Sequence, residues 1–342
     1  MTLRLMSALV SAAALLMSAH GAQAQAASDA EAFRGKTIRM IIGYGPGGGY
    51  DLYGRFAAEF LAPFIPGSPT IVPQNMPGAG SFVAAKYLAT IAAKDGTAMA
   101  SLVQSLALDA VTGNAAGLEP QRFSYIGRLT TNIDLGIGRP GGPAGSFEEA
   151  RVREFTVGAT GGASPAVLLP TSLNVYGGAK FKLIRGYQGI ADTLLALERG
   201  EVDIAGSGGL AGLLVSHPDW VLQRKAPILY QAALKRHPLL QHVPTLEELA
   251  LTEEGRQIMR AISSTAEVGR SIVLPPDVPP ARVAMLRAAF EAMMKDEAVL
   301  ATAKKRNIVL DHATGETIDA LTRETMALPK EISDKVGALL KM

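Results

Sequence analysis

"GYGPGGGYD", residues 43–51, stands directly behind the apolar run "TIRMII", residues 37–42. A short Ile-rich run that ends in glycines reads as a buried strand. The next stretch, "YDLYGRFAAEFLAPF", repeats Leu52, Phe56, Phe60 and Phe64 at helical spacing, and Pro63 and Pro66 end the helix. Between strand and helix lie five glycines and one proline. Such a turn leaves backbone amides open at the positive end of a helix, which suits an anion. The candidates are a phosphate, a dinucleotide or a carboxylate.

Outward from this turn, strand and helix signals alternate. "TIVPQN" is a second strand, "GAGSFVAAKYLATIAAK" a helix with Gly80 and Ser81 near its start, and "TAMASLVQ" a third strand. This βαβαβ opening predicts a parallel, doubly wound sheet with right-handed crossovers. "FSYIGRL" and "DLGIGR" bracket the passage into a second domain. There Ser146 and Glu149 have capping-box spacing. Strands "FTVGAT", "KFKLIRGY" and "VDIAGSG" follow, alternating with helices "PAVLLPTSLNVYG" and "IADTLLALERG". "APILYQAAL" (226–234) reads as a strand leading back. After it the chain turns helical, with Thr245 and Glu248 as another capping box, and the strand "RSIVLPP" interrupts the run. This return suggests that the last third rejoins the first domain. The expected fold class is α/β with two lobes: 27–128 and 233–342 form lobe 1, and 129–232 form lobe 2. Two crossing segments, near 129–138 and 226–234, make a hinge, and a hinged cleft is the geometry of ligand trapping.

Bulk numbers narrow the class. The chain has 342 residues, 48% apolar, with 33 basic and 31 acidic residues. That describes a globular protein of more than one core, with no electrostatic footprint for nucleic acid. Arg4, the apolar "LVSAAALLMSA" and the overlapping A-x-A sites of "AQAQA" read, in that order, as a secretory signal peptide, residues 1–24, cleaved after Ala24 or Ala26. Cleavage after Ala24 leaves 32 basic against 31 acidic residues. The chain has no cysteine, so disulfides, thiolate chemistry and a lipoprotein anchor are not expected. No later stretch is long and apolar enough to span a membrane. A soluble periplasmic location is expected.

Gly43, Gly45 and Gly48 satisfy G-x-G-x-x-G, a dinucleotide fingerprint when it follows a strand and opens a helix. The acidic residue expected about 20 residues on is missing, because "TIVPQN" ends in Gln74 and Asn75. Pro46 stiffens the turn, and an exported protein rarely meets a nicotinamide dinucleotide. No Gly-Lys-Ser/Thr follows, so a P-loop is absent. A carboxylate fits better, because open amides bind it without a cationic side chain. Four turns offer them: "GPGGG" (45–49), "PGAGS" (77–81), "GGASP" (161–165) and "GYQG" (186–189). Each joins a strand's C-terminal end to a helix, where open α/β sheets bind ligands. Asp51 just inside the first helix has two readings: a helix cap or salt-bridge partner, or a functional carboxylate that orients the loop or accepts a ligand hydroxyl or ammonium.

"GYGPGGGYDLYGR", "VPQNMPGAGSFVAAKYLATIAAKDGT", "GYQG" followed by "LLALERGEVDI", "VPTLEEL" and "LPPDVPPARVAMLRAAFEAMMKDEAV" occur in this order. Together they resemble the substrate-binding receptors of tripartite tricarboxylate transporters, the Bug or TctC type of periplasmic solute-binding protein. The resemblance covers nearly the whole mature chain. It implies a type II periplasmic-binding-protein fold of Venus-flytrap form. It also implies capture of a small carboxylate between the lobes, largely by main-chain groups and water, and delivery to the permease subunits of a transporter. Carried onto this sequence, the ligand-binding candidates are Gly45, Gly47, Gly48 and Asp51; Gly80 and Ser81; Ser164; and Tyr187 and Gln188. Gln104 and Ser105, after the third strand, are plausible donors on the same rim. No metal site and no cofactor are expected. The chain departs from the common pattern at Tyr44, Pro46, Tyr50 and Gly186, and in the glycine-rich "IAGSGGLAGLL". Tyr44, Tyr50 and Tyr187 either wall an aromatic acid or pack, so the ligand stays open.

An exported enzyme is the rival class. No serine sits in G-x-S-x-G. His217, His237, His242 and His312 lie away from the glycine turns, and no H-x-x-x-H pair exists. These read as surface or helix-end residues, and no catalytic constellation is apparent. A third class, a binder that reports to a signalling kinase instead of a permease, would show the same turns.

Overall fold

The computed structural model describes residues 33–342 except 116, 162 and 163. The expected leader and its cleavage sites lie outside the described residues, as do two residues of the "GGASP" turn. The strands are β1 (Thr37–Ile42), β2 (Thr70–Asn75), β3 (Ala98–Ser101), β4 (Ser124–Arg128), β5 (Asp134–Gly138), β6 (Phe155–Thr160), β7 (Phe181–Tyr187), β8 (Ile204–Gly209), β9 (Ile228–Ala232), β10 (Ser271–Leu274) and β11 (Ala313–Thr314). They form two sheets, ordered β11-β4-β10-β3-β1-β2 and β7-β6-β8-β5-β9.

Each sheet contains a parallel trio, β2-β1-β3 in one and β7-β6-β8 in the other. That is the βαβαβ unit the alternation predicts. Beyond each trio the pairing turns antiparallel: β10 lies between β3 and β4, and β5 lies between β8 and β9. The sheets are therefore mixed. The fold class is α/β, two-lobed, of the type II periplasmic-binding-protein kind.

Local sequence explains the placement. The apolar side chains of β1 are fully buried because strands flank it on both sides and helices cover it. β2 carries Pro73, which has no N–H for a ladder, and β2 is an edge strand. The glycines of β8 answer to close packing. A Cβ at Gly206 would lie 2.7 Å from the Ala166 carbonyl oxygen, and one at Gly208 would lie 2.5 Å from Ile137 Cδ1. A single crossing, residues 129–133, leads from β4 in the first sheet to β5 in the second, and the chain returns between β9 and β10. On the return, the helices Leu246–Leu249 and Glu253–Ser264 pack on Pro165–Gly177, the first helix after β6, and so does the C-terminal helix Lys330–Leu339. The core of the second sheet accordingly includes Ile258, Met259, Val336 and Leu339. The helices Pro280–Lys295 and Glu297–Lys305 supply Phe290, Met293 and Val299 to the core of the first.

Candidate functional site

The first glycine turn is held by Asp51. Its Oδ2 accepts the Gly47 N–H at 3.0 Å, and its Oδ1 accepts Arg55 Nε–H and Asn75 Nδ2–H, both at 2.8 Å. Asn75 also donates to the Tyr44 carbonyl at 2.9 Å. The carboxylate is buried and turned onto its own loop, which is the loop-orienting arrangement. Gly47 needs its lack of a side chain, because its φ is +86°. Gly48, by contrast, is extended at φ −91°, ψ 174°.

The second turn is backbone-strained. Gly78, Ala79, Gly80 and Ser81 all have positive φ, including two non-glycine residues. Such a run costs energy and persists only where the surroundings over-determine it. Ser81 is locked by two contacts. Its Oγ accepts the Val103 N–H, and it fills the space beside Gly43, where a Cβ would fall 2.0 Å from that oxygen. Tyr44 Oη donates to the Gly80 carbonyl, so the first and second turns brace each other.

Across the cleft, the turns of the two lobes meet. A Cβ at Gly48 would lie 2.9 Å from Ile190 Cγ2, and one at Gly47 would lie 3.6 Å from Ala191 Cβ. A Cβ at Gly80 would lie 3.1 Å from the Gly161 carbonyl and 3.3 Å from Ser164. A Cβ at Gly212, on the helix Leu210–Ser216, would lie 3.2 Å from the Gly49 Cα. The lobes meet here with a glycine on at least one side of each contact.

This contact divides the cleft into two chambers. The inner one, about 50 Å³, is lined by Tyr44, Gly45, Gly48, Tyr50, Asp134, Ser164 and Arg270, among others. It holds about three to five water-sized groups. The outer one, about 370 Å³, is lined by Gly47, Asp51, Arg55, Phe56, Glu59 and Arg306 among others. Gly48, Gly49, Ile190, Gly208 and Gly209 line both. The outer cations are paired: Arg55 with Asp51 at 2.8 Å, Arg306 with Glu59 at 2.7 Å.

The inner wall sets a few polar and charged side chains among apolar surface. Tyr44 and Tyr50 stack at 4.6 Å, and the Arg270 guanidinium stands 3.7 Å from the centre of the Tyr50 ring. Burial pushes the Tyr50 hydroxyl up to about 12 and that of Tyr44 well above its ordinary value. Asp134 opens β5. Its Oδ1 accepts Ser207 Oγ–H at 2.8 Å, and its Oδ2 accepts Gln104 Nε2–H at 2.9 Å and Asn132 Nδ2–H at 3.1 Å. Burial raises the Asp134 carboxyl, against the lowering effect of Arg270 and these donors.

The predicted residues therefore separate into layers. Gly45, Gly48 and Ser164 line the inner chamber, and Gly47 and Asp51 line the outer one. Gly80 presses on Ser164 from the other lobe. Ser81, Gln104 and Ser105 are buried behind the inner wall. Of these, Gln104 donates to Asp134 and Ser105 to Asp109. Tyr187 packs into the second lobe's core, and exposed Gln188 is capped by Asp192 through its N–H. Sequence reasoning passed over Asp134 and Arg270. Asp134 opens β5 and Arg270 directly precedes β10, and an ionisable residue at the start of an otherwise buried strand is the signal that marks them. The histidines stay outside the chambers: His217 meets Glu198 at 3.1 Å and Trp220, and His237 caps Pro238–Leu240. Among the described residues no group of three His, Asp or Glu is placed to hold a metal ion. Nor is any helix among them long and apolar enough to cross a membrane.

Comparison with known proteins places this geometry. No family model matches the sequence. The chain is 27% identical over 335 residues to the "UPF0065 protein in gbd 5'region" of Cupriavidus necator, covering 95% of this chain and 94% of that one. Its fold matches the periplasmic binding protein BugD with a TM-score of 0.70 at 20% identity, over 88% of this chain and 98% of that one. It also matches MatC from Rhodopseudomonas palustris with bound malate, with a TM-score of 0.69 at 19% identity, over 88% and 99% of the two chains. These likenesses bear out the resemblance to Bug and TctC receptors that the sequence motifs carry.

Proposed function

We propose that this protein is a periplasmic solute receptor of the Bug/TctC type, which captures a small carboxylate between its lobes and delivers it to the permease of a tripartite tricarboxylate transporter. The observation that carries this reading is the meeting of glycine turns from both lobes around a chamber whose wall carries Tyr50, Asp134, Ser164 and Arg270. The N-terminal ends of the helices Gly49–Phe60 and Pro165–Gly177 both line it, and each helix end favours negative charge. A ligand bridging the turns touches both lobes, so it favours the closed form by its differential affinity. The MatC structure with bound malate supports a carboxylate as cargo. Binding rather than catalysis fits the chamber, since Asp134 is engaged by three donors and, among the described residues, no histidine lines it.

The test is a thermal-shift screen of the chain from residue 27 against mono-, di- and tricarboxylates, acidic amino acids and nicotinamide dinucleotides. A native-state ligand raises the melting temperature. A rise with a carboxylate class supports the receptor and identifies its cargo. A rise with dinucleotides alone returns Gly43, Gly45 and Gly48 to the fingerprint reading and overturns the receptor.

A further inference from the structure

One ionised side chain of the inner chamber has hydrogen-bonding capacity left open. Arg270 is 4% exposed, and its Nε and Nη1 have no hydrogen-bond partner. A guanidinium that loses water without gaining acceptors is costly to bury. The outer cations differ, since Arg55 and Arg306 already hold carboxylates. Asp134, on the same inner wall, already accepts from Ser207, Gln104 and Asn132.

The chain also sets this guanidinium in place. Tyr50 supports it from one face, with Tyr44 stacked behind. Its Nη2 occupies space that two glycines leave empty: a Cβ would fall 2.9 Å away at Gly49 and 2.4 Å away at Gly209. Gly49 belongs to the first lobe's opening helix and Gly209 to the end of β8 in the second sheet. Both residues have a conformation that admits a side chain, since neither has positive φ, so proximity to the guanidinium, not backbone geometry, makes glycine useful there. Arg270 thus sits at the seam of the lobes, facing the chamber.

We infer that Arg270 is the cationic anchor of the captured anion, supplying a direct side-chain ion pair alongside the main-chain amides. This rests on the receptor reading above. A carboxylate in the inner chamber accepts from the open N–H groups of Arg270 while the helix-end amides hold its other oxygen or a second acidic group. Charge-assisted bonds are the strong kind. The pair also joins ligand occupancy to closure, because the guanidinium is wedged between one glycine of each lobe.

The experiment is calorimetric titration of wild type, Arg270→Gln and Arg270→Lys with a panel of mono- and dicarboxylates of two to six carbons, malate and adipate included. For carboxylates that wild type binds, Arg270→Gln is expected to lose about 30-fold or more in affinity. Arg270→Lys, which keeps the charge but not the planar donor set, is expected to fall between the two. A folded Arg270→Gln that binds with the wild-type dissociation constant overturns the anchor while leaving the receptor standing. A wild type that binds no member of the panel overturns both. Should Arg270→Gln fail to fold, the readout moves to wild type labelled with nitrogen-15. The Arg270 Nε–H resonance must shift on titration with a carboxylate that binds, and an unmoved resonance overturns the proposal.

Discussion

Gly48→Val isolates the closing of the lobes from the integrity of the fold. Gly48 is extended, at φ −91° and ψ 174°, a conformation open to any residue. The substitution therefore adds no backbone strain, and its cost appears only where the new side chain goes. A Cβ there would lie 2.9 Å from Ile190 Cγ2 on the opposite rim. Forcing extra methyl groups into such a contact costs about 1–3 kcal/mol. That cost falls on the closed molecule alone, because opening the cleft draws Gly48 and Ile190 apart. If the ligand is held by the closed form, the cost passes into the dissociation constant. At ~1.4 kcal/mol per decade, binding weakens about 5- to 150-fold. Gly47→Ala is the control. Its φ of +86° strains an alanine in open and closed forms alike, while its Cβ would sit at an ordinary 3.6 Å from Ala191. It should lower the melting temperature and leave affinity nearly intact. Calorimetric titration of both variants decides. Wild-type affinity in Gly48→Val, or an equal loss in the two variants, refutes the closing contact.

Asp51→Ala removes the acceptor that gathers Gly47, Arg55 and Asn75. Affinity should fall about 10-fold, the worth of one or two charge-assisted bonds, with circular dichroism unchanged; full affinity would show that the turn holds itself. Asp109 gives a pH test. It is fully buried, its Oδ1 has no partner, and burial pushes its carboxyl up to about 8 against the lowering effect of Ser105. The folded carboxyl therefore keeps a proton that the unfolded chain has lost above the ordinary carboxyl range. Stability falls as pH rises from about 4 to about 8, by ~1.4 kcal/mol per pH unit from this group. Asp109→Asn should remove that slope in urea unfolding between pH 5 and 7.5, and parallel slopes in the two proteins would contradict the buried neutral carboxyl.

Much of this architecture was legible because local chemistry and global packing agree. The Ile-rich run of β1, the Phe spacing of the first helix and the alternation of strands and helices after it all read directly. Thr245 and Glu248 form the full reciprocal capping box, with bonds of 3.3 and 2.7 Å. Ser146 and Glu149 share the spacing, but Glu149 reaches past the cap to the Gly145 N–H, so the motif is only half made. The long helical stretch after residue 280 hides a break: Asp296 is extended and caps a second helix through the Val299 N–H. Pro329 likewise divides the last helical stretch. The helices Leu210–Ser216 and Pro218–Leu222 gave no signal of their own, because seven and five residues are too few for a helical period to show.

The candidate site was legible in its rims and not in its floor. Glycine turns advertise themselves by composition. The floor joins Tyr50, Asp134, Gly209 and Arg270, which are far apart in the chain and follow no spacing. Only the crossing between the sheets and the return through β10 bring them together. The glycine-rich "IAGSGGLAGLL" is explained the same way, by what lies across from it rather than by any turn it makes.

Hydrogen exchange measured with and without a saturating carboxylate hit tests the central claim most directly. A ligand bridging the lobes should protect amides at once in 45–51 and 78–82 of the first lobe and in 164–168 and 187–192 of the second. Protection confined to one lobe, or to surfaces outside these turns, would contradict capture between them.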